Sequence, residues 1–192
     1  MSNLSALRRA VVITAASALA VSTVMVAGAT SASAAVKPKT GGILTFLEHT
    51  PRLDHYDPSR IYTGRDLAFM NSFMTRTLVA YNPVPGAAGA NLVPDLATNT
   101  GVPSNAAKTW KFTLRPGTTF EDGVAITCEH VKYGSSRVFA TDVISDGPQY
   151  LVSWLDIPKN ADGTSIYTGP YKNTAAGVAA FNKAVTCSGR TI

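Results

Sequence analysis

The 192-residue chain reads as an α/β protein, and three stretches carry that reading. Residues 43–47 are apolar almost without interruption, as in a strand covered on both faces. Leu67, Met70, Met74 and Leu78 recur at helical spacing and form one apolar stripe. Between about 110 and 139 a strand, a tight turn and a capped helix follow in fixed order.

Beyond the first strand, residues 48–64 are polar and rich in turn formers. Thr63 and Asp66 have the spacing of a capping box, which opens the helix bearing Leu67 to Leu78. Phe69 and Phe73 flank that stripe; rings and thioethers fill irregular gaps, so these side chains read as core. Residues 82–91, with two prolines and an Ala/Gly run, form a loop. A short strand follows over 92–97, confined to a sheet edge because Pro94 cannot donate to a ladder. Trp110, Phe112 and Leu114 alternate with Lys111 and Thr113, the period-two pattern of a strand with one buried face. Arg115-Pro116-Gly117 breaks it, and Asp122-Gly123 tolerates the positive φ of a tight turn. Thr127 caps a helix reaching about residue 139, with Val131, Gly134 and Val138 on its inner side. Residues 141–177 lack sustained periodicity and read as an elaborated loop region with a short helix over 150–155. A small helix is expected over 175–185, then a hairpin turn at Ser188-Gly189 and the start of a strand at Thr191-Ile192.

Several of these blocks together carry a resemblance: Leu92-Val93-Pro94-Asp95-Leu96-Ala97, the run from Thr109 to Gly123, and Thr127 through Tyr133. In this order they resemble the family 5 extracellular solute-binding proteins, the dipeptide-, oligopeptide- and nickel-binding receptors of ABC importers. The likeness begins at Gly41-Gly42-Ile43-Leu44-Thr45 and continues through Leu53-Asp54, so it covers the chain after its first segment. His130 departs from it, standing where the family usually has an acidic residue, and a weakened helix cap is expected there. The resemblance implies a type II periplasmic-binding-protein-like α/β fold, incomplete here: the start of lobe I plus an accessory subdomain. On that view residues 1–34 are a signal peptide, 35–82 the start of lobe I, and 83–192 the truncated accessory subdomain. Family chains are longer, and this one stops as a strand begins, so its last ladder groups are expected to go unpaired. Apolar clusters meant to face further sequence would then be exposed.

The N-terminus has the marks of export. Arg8 and Arg9 precede an apolar run over 10–27, and Ala32-Ser33-Ala34 fits a signal-peptidase site. Thr14, Ser17, Ser22 and Thr23 dilute the run, which favours a cleaved signal over an uncleaved anchor. No cysteine stands at the cleavage site to take a lipid. The chain carries 17 basic and 12 acidic residues, and cleavage after Ala34 would remove two arginines, leaving a net +3. The charges are scattered singly, which argues against a nucleic-acid surface, where cations cluster. Two cysteines, Cys128 and Cys187, are expected to pair in an exported protein. The alternative is a reactive Cys128, its thiol activated by a helix N-terminus.

Catalytic signatures do not stand out: no G-x-S-x-G, H-E-x-x-H or P-loop pattern occurs, and no cofactor is expected. His49 and His55 with Asp54 and Asp57 offer metal-ligand types, but nothing fixes a coordination geometry, and a solvated polar turn is the reading adopted. His130 is placed on an exposed first helical turn, and residues 156–163 lack the ligand spacing of a calcium loop. Ligand contacts follow from the resemblance, in which the loop after the first strand and the next helix start line the cleft. Here these are residues 59–64: Arg60 to pair with an acid, Tyr62 to stack, and the helix start at Thr63 to offer amides to a carboxylate or carbonyl. Arg60 and Tyr62 merely packing over the loop is the alternative. Tyr150 is a further ligand candidate. The family's charged residues that grip peptide termini would lie beyond Ile192.

The function expected is the exported, non-enzymatic substrate-binding component of an ABC importer. It would be a monomer that captures peptides and presents them to a membrane permease. A secreted hydrolase using Cys128 or a serine, and a receptor for nickel, an opine or an oligosaccharide, are the alternatives.

Overall fold

A computed structural model describes residues 40–47 and 52–192; the expected signal segment and His49 lie outside the described residues. The chain divides into two compact units, residues 1–47 and 48–192. In the first, the strand expected over 43–47 is not formed: the residues are irregular, and Ile43 is 97% exposed. A strand buried on both faces needs neighbouring strands, and none pairs with this segment among the described residues.

The second unit holds four α-helices and four short strands among the described residues. They are α1 (Gly64–Phe73), β1 (Val79–Tyr81), β2 (Leu92–Pro94), β3 (Val102–Ser104), β4 (Thr109–Lys111), α2 (Cys128–Arg137), α3 (Tyr150–Trp154) and α4 (Ala175–Ala184). β1 pairs antiparallel with β2, Val79 facing Pro94, and β3 pairs antiparallel with β4, Val102 facing Lys111. β1 has no separate signal in the sequence, because three residues are too few to show a period. The loop between β1 and β2 contains a 3₁₀ turn, Ala87–Ala90.

The segment after β4 is stitched on both sides. Thr98 N donates to the Thr113 carbonyl (2.7 Å) and Arg115 N to that of Leu96 (2.8 Å). On the other side Leu114 N donates to Arg190 O (2.8 Å), and Phe112 and Ile192 exchange both amide bonds (2.9 and 3.0 Å). The ladder groups of Ile192, expected to be unpaired, are therefore satisfied. Asp95 locks the motif around it: its carboxylate accepts from Arg76 Nε (2.9 Å) and Thr77 N (3.1 Å), and its carbonyl from Arg115 Nε (3.1 Å). Among the side chains of the alternating strand, Leu114 is buried, while Trp110 is half-exposed and lies with Phe112 over Gly101. Gly101 has φ +97°, and a Cβ there would strike both rings, so the residue has to be glycine twice over.

α2 begins at Thr127 and its cap is closed reciprocally: the Thr127 amide donates to His130 Nδ1 (3.1 Å). The box is thus formed with a neutral imidazole nitrogen as acceptor, and what His130 lacks is the negative charge of a carboxylate. Gly134, expected inward, is exposed; the buried positions are Cys128 and Ser136. A disulfide joins Cys128 to Cys187 across 59 residues, as expected, and fixes which face of α2 turns in. α3 and α4 form where short helices were expected.

Two apolar clusters make the core. Phe139, Ile157, Tyr167, Phe181 and Val185 form one, with the Tyr167 and Phe181 rings stacked at 4.4 Å. Leu96, Leu114 and Cys128 form the other, with Cys187 against it, and Ile192 packs on both.

Candidate functional site

The site is built on the loop that precedes α1. Asp57 caps a 3₁₀ turn, Pro58–Arg60, by accepting from Ser59 N (3.0 Å), and proline at the first position presets the turn's φ. Ile61, fully buried, anchors the next step of the chain, which leaves Tyr62 70% exposed. Arg60, before the anchor, reaches Asp146 (3.0 Å), and His55 Nε2 stands 3.8 Å from the same carboxylate. Gly147 makes this approach possible, because a Cβ there would run into the Ser59 carbonyl and the Arg60 backbone. The Arg60–Asp146 pair is solvated on both sides, so it contributes little stability and leaves hydrogen-bonding capacity free. Arg60 Nε is buried without a hydrogen-bond partner among the described residues.

Tyr150, at the start of α3, faces the same loop. Hydrogen bonding with Tyr62 holds the Tyr150 phenol above its ordinary value. One turn on, the Trp154 ring stacks on that of Tyr150 at 5.5 Å and 15°, with 72% of Trp154 exposed. The result is an open ledge: Tyr62, Tyr150 and Trp154 present aromatic surface beside the hydrogen-bonding groups of Arg60, Asp146 and His55. Such a ledge can stack on flat or apolar groups and hydrogen-bond amides or carboxylates; it offers no activated nucleophile.

Of the four residues expected from sequence, Tyr62 and Tyr150 interact with each other, and Arg60 pairs with Asp146. Thr63 does not act as foreseen. It is the N-cap residue of α1, but its side chain makes no capping bond to the helix backbone. The Asp66 carboxylate takes a hydrogen bond from the Thr63 side chain but is shared with other partners. It is fully buried, accepts from Asp54 N (3.1 Å) and pairs with Arg65 (2.7 Å), and these partners, Arg65 foremost, hold it below the usual carboxylate range. The first turn of α1 therefore already holds an anion of the chain itself.

Behind the ledge, Arg137 at the end of α2 grips Asp57 with both terminal nitrogens (3.0 and 2.5 Å) and donates from Nε to the Tyr171 hydroxyl (3.0 Å). Arg137 holds Asp57 below the usual carboxylate range, and the same guanidinium lowers the Tyr171 phenol. Asp57 is thereby committed to an ion pair, and among the described residues no group of three His, Cys, Asp or Glu side chains gathers to hold a metal. Sequence reasoning missed Asp146, Arg137 and Trp154. Tyr150-x-x-x-Trp154 carries an i, i+4 aromatic signal that could have found the last; pairings across 80 and 86 residues leave none.

Residues 91–165 match the family described as "Bacterial extracellular solute-binding proteins, family 5 Middle". Among solved structures, the chain is similar to "Clavulanic acid biosynthesis oligopeptide binding protein 2", with 32% identity and a TM-score of 0.61. That alignment covers 73% of this chain and 24% of the other, so this chain spans about a quarter of that protein's length. A comparison with curated proteins finds no match. The architecture is accordingly that of part of a type II periplasmic binding protein.

Proposed function

We propose that the chain is part of an exported receptor that captures peptides for an ABC importer, a reading supported by the match of residues 91–165 to family 5 of the extracellular solute-binding proteins. Both comparisons support a substrate-binding role, and the solved relative is described as an oligopeptide binding protein. The observation that carries the site assignment is the convergence of Tyr62 and Tyr150 beside the Arg60–Asp146 pair, from segments distant in sequence. Peptides suit this ledge, since amides need donors and acceptors while varied side chains need adaptable aromatic surface. We read the chain as a binding protein rather than a catalyst. Cys128, the thiol considered as a nucleophile, has its sulfur committed to the disulfide.

In receptors of two α/β lobes, hinge closure traps the ligand, and a ligand shifts the open–closed equilibrium only by its differential affinity for the two forms. The ledge supplies one wall, and by itself it is expected to hold no peptide tightly. The membrane permease would then recognise the closed form, and the receptor would act as a monomer. A chimera tests this: the aligned segment is exchanged into the oligopeptide-binding relative and titrated calorimetrically with short peptides. The expected outcome is binding by the chimera and none by the isolated chain. A well-folded chimera that binds a sugar or nickel instead of peptides would overturn the peptide assignment. Export is tested separately by mass spectrometry of secreted protein, with a mature N-terminus expected at Ala35; a retained Met1 would favour an anchor.

A further inference from the structure

We propose that Arg137 is the positioning residue of the Tyr62–Tyr150 ledge, acting through Asp57 to hold the ligand-facing loop in place. This inference rests on the reading of that ledge as the ligand site. Three observations carry it. Arg137 uses both terminal nitrogens on one carboxylate, the fork geometry that fixes orientation as well as distance. That carboxylate is itself the cap of the Pro58–Arg60 turn, so the guanidinium sets the turn that delivers Arg60 and, past the buried Ile61, Tyr62. The remaining donor, Nε, is taken by Tyr171, which keeps the guanidinium plane from rotating.

Among the described residues, the loop is also tied by Arg60 N to Asp57 O (2.9 Å) within the turn, by the solvated Arg60–Asp146 pair and by Tyr62 to Tyr150. Arg137 and Asp57 are better shielded, with side chains 26% and 27% exposed. The stronger pairing thus lies behind the loop, away from the face where a ligand would sit. Arg137 touches no ligand in this arrangement; it sets where Tyr62 stands relative to Tyr150.

The test uses the 192-residue chain with ¹³C-labelled tyrosine and amide hydrogen exchange. In Arg137→Met, the Tyr150 titration should fall back toward the ordinary tyrosine value, and exchange at Ser59 and Arg60 should rise by about tenfold, while α4 is unchanged. Arg137→Lys, which keeps the charge but not the fork, should lie between. Tyr171→Phe, which frees only the plane of the guanidinium, should move the Tyr150 titration in the same direction but by less than Arg137→Met. If Arg137→Met does not fold, Asp57→Asn serves as the second variant, with the same direction expected. A Tyr150 titration indifferent to both substitutions, or exchange rising equally in α4, would overturn the proposal. The readouts need no ligand, so absence of peptide binding by the chimera would sink the functional reading and leave this one standing.

Discussion

His130 sits at the third position of α2, where a carboxylate ordinarily closes the cap, and its Nδ1 accepts the Thr127 amide instead. Its ring also meets Phe120 edge-on at 5.1 Å, which holds the imidazole in place. A carboxylate would add a charge favoured by the helix dipole. His130→Glu should therefore stabilise the chain by about 0.5 kcal/mol, read as a shift in urea midpoint at constant slope; destabilisation would mean that the Phe120 contact outweighs the dipole. The turn between β3 and β4 holds Asn105, Ala106 and Ala107 all at positive φ (52°, 52° and 62°). Asparagine tolerates that region, but each alanine there costs about 1 kcal/mol relative to glycine. Ala106→Gly and Ala107→Gly are each expected to raise stability by about that amount, net of the extra freedom of the unfolded chain. Asp57 brings in pH. Its folded-state value lies below its unfolded value near 3.9, so its contribution is present above about pH 4 and lost as pH falls through the folded value. Between about pH 4 and pH 2 the melting temperature should drop less steeply in Asp57→Asn than in the native chain. Equal slopes would show that the Arg137 pair contributes nothing.

At the scale of elements, the disulfide joins the start of α2 to the segment that pairs with Phe112 and Leu114. In the chain-entropy model, closing a 59-residue loop is worth about 4 kcal/mol. Replacing both cysteines by serine should lower stability by about that much in chemical denaturation, and should loosen the 190–192 ladder first in hydrogen exchange. A loss below about 1 kcal/mol would mean that the two core clusters hold these segments without it. α2 was legible before any coordinates, because Thr127 opens it and its apolar residues share a helical period, whereas α1 stops at Phe73, short of the expected Leu78, and α4 is capped by a residue not singled out, Thr174, whose hydroxyl accepts from Gly177 N (3.0 Å). The strands were legible only in part. Alternation at 110–114 promised a buried face, yet Trp110 is half-exposed, since burial there depends on what lies across the sheet. Residues 43–47 failed for the same reason: an apolar run specifies a strand only where a ladder partner exists. Thr63 and Asp66 illustrate the converse, a local pair whose carboxylate Asp54 and Arg65 also engage, which no local motif foretells.

For the whole molecule, a type II periplasmic-binding-protein architecture was legible from spaced blocks whose reason is now visible. Asp95 and Arg115, from two different blocks, are bonded to each other, so the motifs mark one structural joint. The residues of the proposed ledge were only half legible. Arg60, Tyr62 and Tyr150 could be singled out as types, but their convergence, and the roles of Asp146, Arg137 and Trp154, are products of tertiary pairing. The central claim is that this ledge is one wall of a peptide site. Calorimetric titration of the chimera carrying Tyr62→Ala and Tyr150→Ala tests it most directly. Losing two stacking and hydrogen-bonding surfaces should weaken peptide affinity by at least about tenfold, or 1.4 kcal/mol, with the melting temperature unchanged. Affinity equal to that of the unsubstituted chimera would contradict the account.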